Sequence, residues 1–352
     1  MERVRIGIVG SRFAADFHCD SYSRNPRAQV AAVAAVDNLE PISRKWNIPA
    51  KYEDFREMFA REELDLASIC IPNFLHHDAV MAASEAGIDV VCEKPLATTA
   101  ADAREMIAVC RKNGTRLFYA EDWCFCPAMR RIDALIQEGA IGDILYVKAK
   151  EVHSGTHSPY AKDRKTCGGG SLLHLGVHPV GYLLYLAGRG VNPVVEVTGK
   201  TTGGLEKNFV HKDNSGEDFG MGFLRFENGI YAFVEGNYVT LGGMDDKVEI
   251  YGTEGVIKAD LTHSSSIDLY SPKGVSYTIE KLDHNRGWLK PAVDEYYNLG
   301  YVSELAYFVD CVLHETEPFY GVNGEAGLAC LEIIHAMYES AETGRTVYGR
   351  WM

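Results

Sequence analysis

The first third of the chain alternates short apolar runs with amphipathic segments, and few folds accommodate that pattern. Val4–Val9, Val30–Val36, Leu66–Ile71, Asp89–Cys92 and Arg116–Tyr119 read as strands. They are apolar nearly throughout, as strands covered on both faces are. Helical patterns lie between them, and His76–Ala86 and Thr99–Asn113 each stop at a glycine, Gly87 and Gly114. Strands alternating with helices predict a parallel, doubly wound sheet. Such sheets bind ligands outside the carboxyl ends of their strands. Pro72, Asn73, Lys94, Pro95 and Glu121 all fall at such ends.

The opening of the chain narrows the ligand. Val4–Val9 runs into Gly10, then into a helix containing Ala14-Ala15, and Val30–Val36 ends at Asp37. Strand, tight turn, helix, strand and acid is the order of a dinucleotide-binding βαβ unit. A small turn lets a pyrophosphate sit on backbone N–H groups at the helix N-terminus. The G-x-G-x-x-G/A frame falls on Gly10, Arg12 and Ala15, so an arginine takes the second glycine's place. Its guanidinium is a candidate phosphate ligand. Asp37 accepts from ribose hydroxyls and repels a 2′-phosphate, which favours NAD. Arg44 and Lys45 lie close enough to keep NADP as the lesser alternative.

The rest of the chain reads differently. Pro127–Glu138 is helical, and Ile144–Val152 alternates as a strand with Glu151 and His153 on one face. From Val194 onward strands dominate, with Asn228-Gly229 turning Phe223–Phe226 into Ile230–Val234. Further strands fit Lys247–Tyr251, Val256–Ala259, Ile267–Tyr270 and Val275–Ile279. A linker, Asp283–Tyr301, carries Arg286, Trp288 and Tyr296 and is a candidate pocket wall. The expected architecture is an α/β Rossmann domain over 1–122, followed over 123–352 by an α+β domain with a large, mostly antiparallel sheet. Between the helix and the later strands lies Gly168-Gly169-Gly170-Ser171-Leu172-Leu173-His174-Leu175-Gly176-Val177-His178-Pro179. On a helix the His174 and His178 spacing puts both rings on one face.

Composition excludes some classes. The net charge of −14 over 352 residues argues against nucleic acid or an anionic membrane as the main partner. No secretory h-region precedes Val4, and no apolar run reaches membrane-span length. With nine scattered cysteines, these readings predict a cytoplasmic protein with reduced thiols. Cys124-Phe125-Cys126 lacks a second pair at zinc-finger spacing and reads as buried small hydrophobes.

The chain resembles the Gfo/Idh/MocA family, the glucose–fructose oxidoreductase and inositol dehydrogenase type. Four stretches carry the likeness: Gly7-Ile8-Val9-Gly10 with His18 after it, Ile71-Pro72-Asn73-Phe74-Leu75-His76, Glu93-Lys94-Pro95-Leu96-Ala97, and the two-histidine stretch. The late segment Gly324–Gly344 resembles the family's C-terminal helix. The resemblance implies an NAD(P)-dependent dehydrogenase acting on a sugar, polyol or glycoside, with an open sheet face that pairs subunits as a homodimer or homotetramer. It implies cofactor contacts from Gly10, Arg12, Phe13, Ala15, Asp37, Pro72, Asn73, His76, Glu93 and Lys94. It places Lys94 near the nicotinamide and the reacting hydroxyl, and His178 as general acid/base. His174 stands where the family usually carries an aspartate, and joins the catalytic candidates as a hydrogen-bond acceptor or second base. Glu121, His153, His157 and His174 are the candidate substrate contacts.

Three other readings stay open. A tightly bound, recycled NAD would support glycoside hydrolysis without free NADH. Glu151, His153, His157, His174 and His178 are metal-ligand types, although hydrogen bonding to a carbohydrate accounts for them and no metal is assigned. A non-catalytic NAD-binding protein would account for Arg12 and the lost aspartate, but not for Lys94 and His178.

Overall fold

The computed structural model describes residues 3–263, 265–279, 281–282 and 284–352. It divides into two compact units, residues 1–125 with 300–328, and residues 126–299 with 329–352.

In the first unit the elements run β1 (Val4–Val9), α1 (Phe13–Ser23), β2 (Ala28–Ala34), α2 (Leu39–Trp46), β3 (Ala50–Tyr52), α3 (Phe55–Arg61), β4 (Leu66–Ile69), α4 (His76–Glu85), β5 (Asp89–Glu93), α5 (Ala100–Asn113) and β6 (Leu117–Ala120). The six strands lie in the order β3-β2-β1-β4-β5-β6, all pairs parallel. The buried strands Ile6, Ile8, Leu66, Ile69, Val90 and Val91 make the core. β2 stops two residues short of the expected Val36, which is 92% exposed. Its pairings with β1 and β3 both end at Ala34, and one further bond, from the Ala35 N–H to the Tyr52 carbonyl, precedes the bend at Val36.

The second unit continues with α6 (Pro127–Gln137), β7 (Ile144–Val152), α7 (Arg164–Cys167), α8 (Ser171–His174), α9 (Val177–Leu183), β8 (Val194–Thr201), β9 (Phe219–Phe226), β10 (Tyr231–Asn237), β11 (Lys247–Gly252), β12 (Val256–Asp260), β13 (Leu269–Ser271), β14 (Gly287–Leu289) and α10 (Glu295–Asn298). Then α11 (Tyr301–His314) belongs to the first unit, α12 (Gly324–Thr343) starts in the first and ends in the second, and β15 (Val347–Trp351) closes the chain. The large sheet has the order β12-β11-β7-β10-β9-β8-β15. β7 and β10 pair in parallel and the other described pairs are antiparallel. The Asn228-Gly229 turn joins β9 to β10, with Gly229 at φ 93°.

One expectation fails here. Val275–Ile279 forms no strand: β13 takes β14 as its partner, and the run has no described ladder to join. The linker is partly regular, since β14 and α10 lie in it, and Trp288 packs on Tyr270 while 72% exposed. Asp283, its first residue, lies outside the described residues.

One row of the large sheet shapes everything above it. Gly220 pairs with Gly236, and Gly236 with Glu151, across three neighbouring strands. A Cβ on Gly236 would stand 2.7 Å from the Gly176 nitrogen, and one on Gly220 2.8 Å from Leu172 Cβ. Helices α8 and α9 therefore rest on bare backbone, closer than any side chain allows.

Candidate active site

In the first unit the expected cofactor residues gather at the carboxyl ends of the strands. Gly10 follows β1 with φ 124°, and a Cβ there would sit 2.2 Å from the Cys70 carbonyl oxygen, so only glycine fits the turn. Helix α1 then opens without a side-chain cap at Arg12, leaving its first N–H groups for an anion. Phe13 is half exposed at that helix start and Ala15 is buried beneath it. Arg12 turns toward Asp37 at 2.6 Å, and Ser11 donates to the same carboxylate at 2.9 Å. Arg12, then Ser11, hold the Asp37 carboxyl below its usual range. Lys45 pairs with Asp16 at 2.7 Å. Uncapped amides and an exposed acceptor are the donor set an NAD pyrophosphate and ribose diol require, so these residues fit the cofactor.

Around Lys94 the support is buried. Tyr22 and Ser68 hydroxyls lie 3.2 Å apart, Ser68 is 2.6 Å from His18 Nδ1, and His18 Nε2 is 2.9 Å from Glu93 Oε1. Burial pushes the Tyr22 hydroxyl well above its ordinary value, so the phenol keeps its proton. A carboxylate only accepts, so Nε2–H donates to Glu93, while Nδ1 holds the Ser68 hydroxyl. Three elements, α1, β4 and β5, thereby fix Glu93, whose Oε2 also accepts from the Lys94 backbone N–H at 3.2 Å. The Lys94–Pro95 peptide is cis. His76 is fully buried, with ring nitrogens 3.0 Å from the Pro95 carbonyl and 2.8 Å from that of Ile71. Desolvation lowers its basicity. Pro72 and the buried Asn73 stand beside it, and Glu121 is fully buried just past β6.

In the second unit the two histidines part company. The helix breaks at Leu175-Gly176, leaving His174 at the end of α8 and His178 in the first turn of α9; Pro179 follows in that same first turn, where its missing N–H costs nothing. His174 Nδ1 lies 2.6 Å from the Tyr238 hydroxyl. Burial pushes that phenol well above its ordinary value, so it keeps its proton and is bonded to the Nδ1 edge of the ring, leaving Nε2 as the other polar edge. His153, fully buried, stacks on Tyr238 with ring centroids 5.5 Å apart, and its Nε2 is 3.0 Å from Lys281 Nζ. His157 is exposed in a loop and lines a pocket of about 220 Å³ with Lys162, His211 and Lys281, the last two of which reach Tyr238 and His153. Among the described residues, no three of Glu151, His153, His157, His174 and His178 bring ligand atoms within 4.8 Å of one another.

Sequence reasoning missed several contributors. Tyr238 and Glu217 sit in runs with no distinguishing pattern. Glu217 is buried, accepts from the Leu172 N–H at 2.9 Å and the Tyr338 hydroxyl at 2.8 Å, and so ties down the start of α8. Asp246 had a signal: it continues the inward alternation of Val248 and Ile250 by one step. The nine cysteines are all buried and unpaired by disulfides. Burial pushes the Cys19 thiol up to about 12.

A doubly wound sheet with an open glycine turn, an acid past β2 and a supported lysine past β5 defines a dinucleotide-binding oxidoreductase. Residues 4–121 match the family model described as oxidoreductase family, NAD-binding Rossmann fold, and residues 133–348 match that described as oxidoreductase family, C-terminal alpha/beta domain. The chain belongs to the Gfo/Idh/MocA oxidoreductase family. It is 25% identical to D-apiose dehydrogenase of Paraburkholderia graminis, over 99% of this chain and 90% of that protein. It is 27% identical to D-xylose 1-dehydrogenase [NADP(+)] of Haloarcula marismortui, over 84% and 78% respectively. The crystal structure of GenD2 from gentamicin A biosynthesis, in complex with NAD, superposes with TM-score 0.90 at 24% identity, covering 99% of this chain and 97% of that one; it shares the fold. No helix among the described residues is long and apolar enough to cross a membrane.

Proposed function

We propose that the protein is an NAD-dependent dehydrogenase moving a hydride between the nicotinamide and a hydroxyl-bearing carbon of a sugar or polyol. Relatives named for apiose and xylose support the substrate class. Bound NAD would supply the hydride acceptor at nicotinamide C4. Residues 1–122 would hold it, with Gly10, Arg12, Phe13, Ala15 and Asp37 at the adenosine and pyrophosphate end, and Pro72, Asn73, His76, Glu93 and Lys94 toward the nicotinamide. Residues 123–352 would bind substrate and form the subunit interface. His178 takes the hydroxyl proton, which imidazole does near neutral pH. Lys94 stabilises the developing alkoxide. His174, held at Nδ1 by Tyr238, offers its Nε2 edge where the family carries an anion. Glu121, His153 and His157 complete the hydrogen bonding that hydroxyl-rich substrates need.

The observation that carries this reading is the buried Ser68–His18–Glu93 relay, which fixes the backbone at Lys94 at the carboxyl end of a parallel strand. The test is a cofactor assay. Protein stripped of nucleotide is given NAD or NADP, and reduced nicotinamide is followed against polyols, sugars and glycosides. Reduction with NAD and one sugar class is expected. Glycoside cleavage without net reduction would replace the dehydrogenase with the recycled-cofactor reading.

The outer face of the large sheet supports self-association. Tyr146 stacks on Tyr251 with centroids 4.3 Å apart, Phe223 meets Phe233 at 5.3 Å, and Phe223 and Tyr231 are 58% and 55% exposed. Lys148, Arg225, Glu196 and Glu249 mix both charges over that face, which suits a second copy of the chain. Light scattering should give a dimer or tetramer, and Phe223→Glu should dissociate it.

A further inference from the structure

With His174 in the aspartate's place, His178 needs another carboxylate, and the second unit holds one. Glu151 Oε2 lies 3.5 Å from His178 Nε2, and the two side chains are 6% and 5% exposed. The placement follows from the strands. Val147, Ala149 and Glu151 share the inward face of β7, and α9 crosses β7 and β10. Gly236, the register partner of Glu151, lets the Gly176 backbone settle onto the sheet. The first turn of α9 then comes down beside the Glu151 carboxylate.

A second acid stands behind the first. β11 pairs with β7 so that Lys247 faces Lys150, and one residue further along that register Asp246 comes beside Glu151. Asp246 is fully buried. Burial, then the charge of Glu151, push its carboxyl well above the usual range, against the pull of His178 and Lys281. Two adjacent buried carboxyls do not both ionise. Of the two, Glu151 is the one that faces the imidazole, and Asp246 is the one whose carboxyl is pushed up.

We propose that Glu151 is a positioning residue that replaces the family's aspartate: it orients the His178 ring and offsets the charge His178 gains on taking the substrate proton, with Asp246 as its uncharged neighbour. This rests on His178 being the acid/base. In the oxidation step the substrate C–H leaves as hydride to NAD⁺, the O–H proton passes to His178, and a carbonyl forms. Among the described residues of the second unit, the titratable groups on the elements around His178 include Glu151 on β7, Asp246 just before β11, Lys281, His153 just past β7, His174 on α8 and Cys330 on α12.

The test is an NMR titration of histidine-labelled full-length protein, with the His178 signal assigned by its loss in His178→Asn. In Glu151→Gln the His178 pKa should fall by about 1–3 units, the range expected for losing an opposite charge at this distance. Glu151→Asp should restore most of the shift, which also separates charge loss from misfolding. Asp246→Asn replaces one neutral group by another and should move His178 by less than about half a unit. An unmoved titration in Glu151→Gln, or an equal fall in Asp246→Asn, overturns the assignment of Glu151. Turnover that survives in His178→Asn, on the sugar found by the substrate panel, overturns the acid/base reading and the catalytic part of the proposal with it. In the active enzyme the acid limb of the kcat/KM profile should shift with the NMR value in Glu151→Gln, with kcat falling more than KM changes.

Discussion

Glu217 gives a pH signature that can be worked out from its surroundings. It is 3% exposed and its carboxyl is raised from 4.5 to about 6, with desolvation the largest cause and the bonds from Leu172 and Tyr338 opposing it. Below pH 4.5 the group is protonated in both the folded and unfolded chain. Between 4.5 and about 6 the folded chain keeps a proton that the unfolded chain has released, so stability falls as pH rises and then levels off. A shift of that size corresponds to about 2 kcal/mol. Glu217→Gln removes the ionisation and retains an oxygen for Leu172 and Tyr338. The stability of the variant relative to wild type should therefore improve by about 2 kcal/mol from pH 4.5 to above pH 6. Chemical denaturation of both proteins at several pH values reads this difference directly. Glu217→Ala provides the contrast, since it strands the Leu172 N–H and the Tyr338 hydroxyl and should cost roughly 1–3 kcal/mol even at pH 8. A difference between Gln variant and wild type that is flat across pH, or that moves the other way, refutes the reasoning.

Asp37→Ala removes the repulsion toward a 2′-phosphate and releases Arg12, so kcat/KM for NADP relative to NAD should rise by about tenfold or more, the effect of ~1.4 kcal/mol; an unchanged ratio counts against Asp37 at the ribose. Gly10→Ala should lower the unfolding free energy by about 2 kcal/mol or more and weaken NAD binding by calorimetry, because its Cβ meets the Cys70 carbonyl at 2.2 Å. Tyr238→Phe removes the O–H from His174 Nδ1, a bond of about 1 kcal/mol. A loss of roughly fivefold in kcat/KM should follow, with a change in the His174 Nδ1 signal visible by NMR.

The first unit was largely legible because each of its signals is local. A strand buried on both faces shows as a continuous apolar run, and Gly10, Asp37 and Lys94 follow such runs in order. Arg12 was legible as an anomaly, but its pairing with Asp37 needed the distance between two strand ends. The second unit was less legible because its site is assembled across strands. Glu151 could be put on an inward face from β7 alone, yet its meeting with His178 depends on a helix break at Gly176 and on Gly236 opposite. Asp245 and Asp246 are identical in the sequence. One pairs with Lys150 and Lys247 at the edge of the strand, and the other is buried. Val275–Ile279 has the alternation of a strand without a partner, and periodicity carries no information about partners.

The glycine row beneath α8 and α9 bears on how this site can change. Because α8 and the start of α9 rest on main chain at Gly220 and Gly236, no side chain at those two positions sets the height of His178 above the sheet. Residues in the exposed loop that carries His157 are free to be exchanged without lifting the imidazole. An engineer seeking a new substrate would randomise those positions and leave Gly220 and Gly236 alone: a single methyl group there would move the acid/base histidine before it altered any contact with substrate.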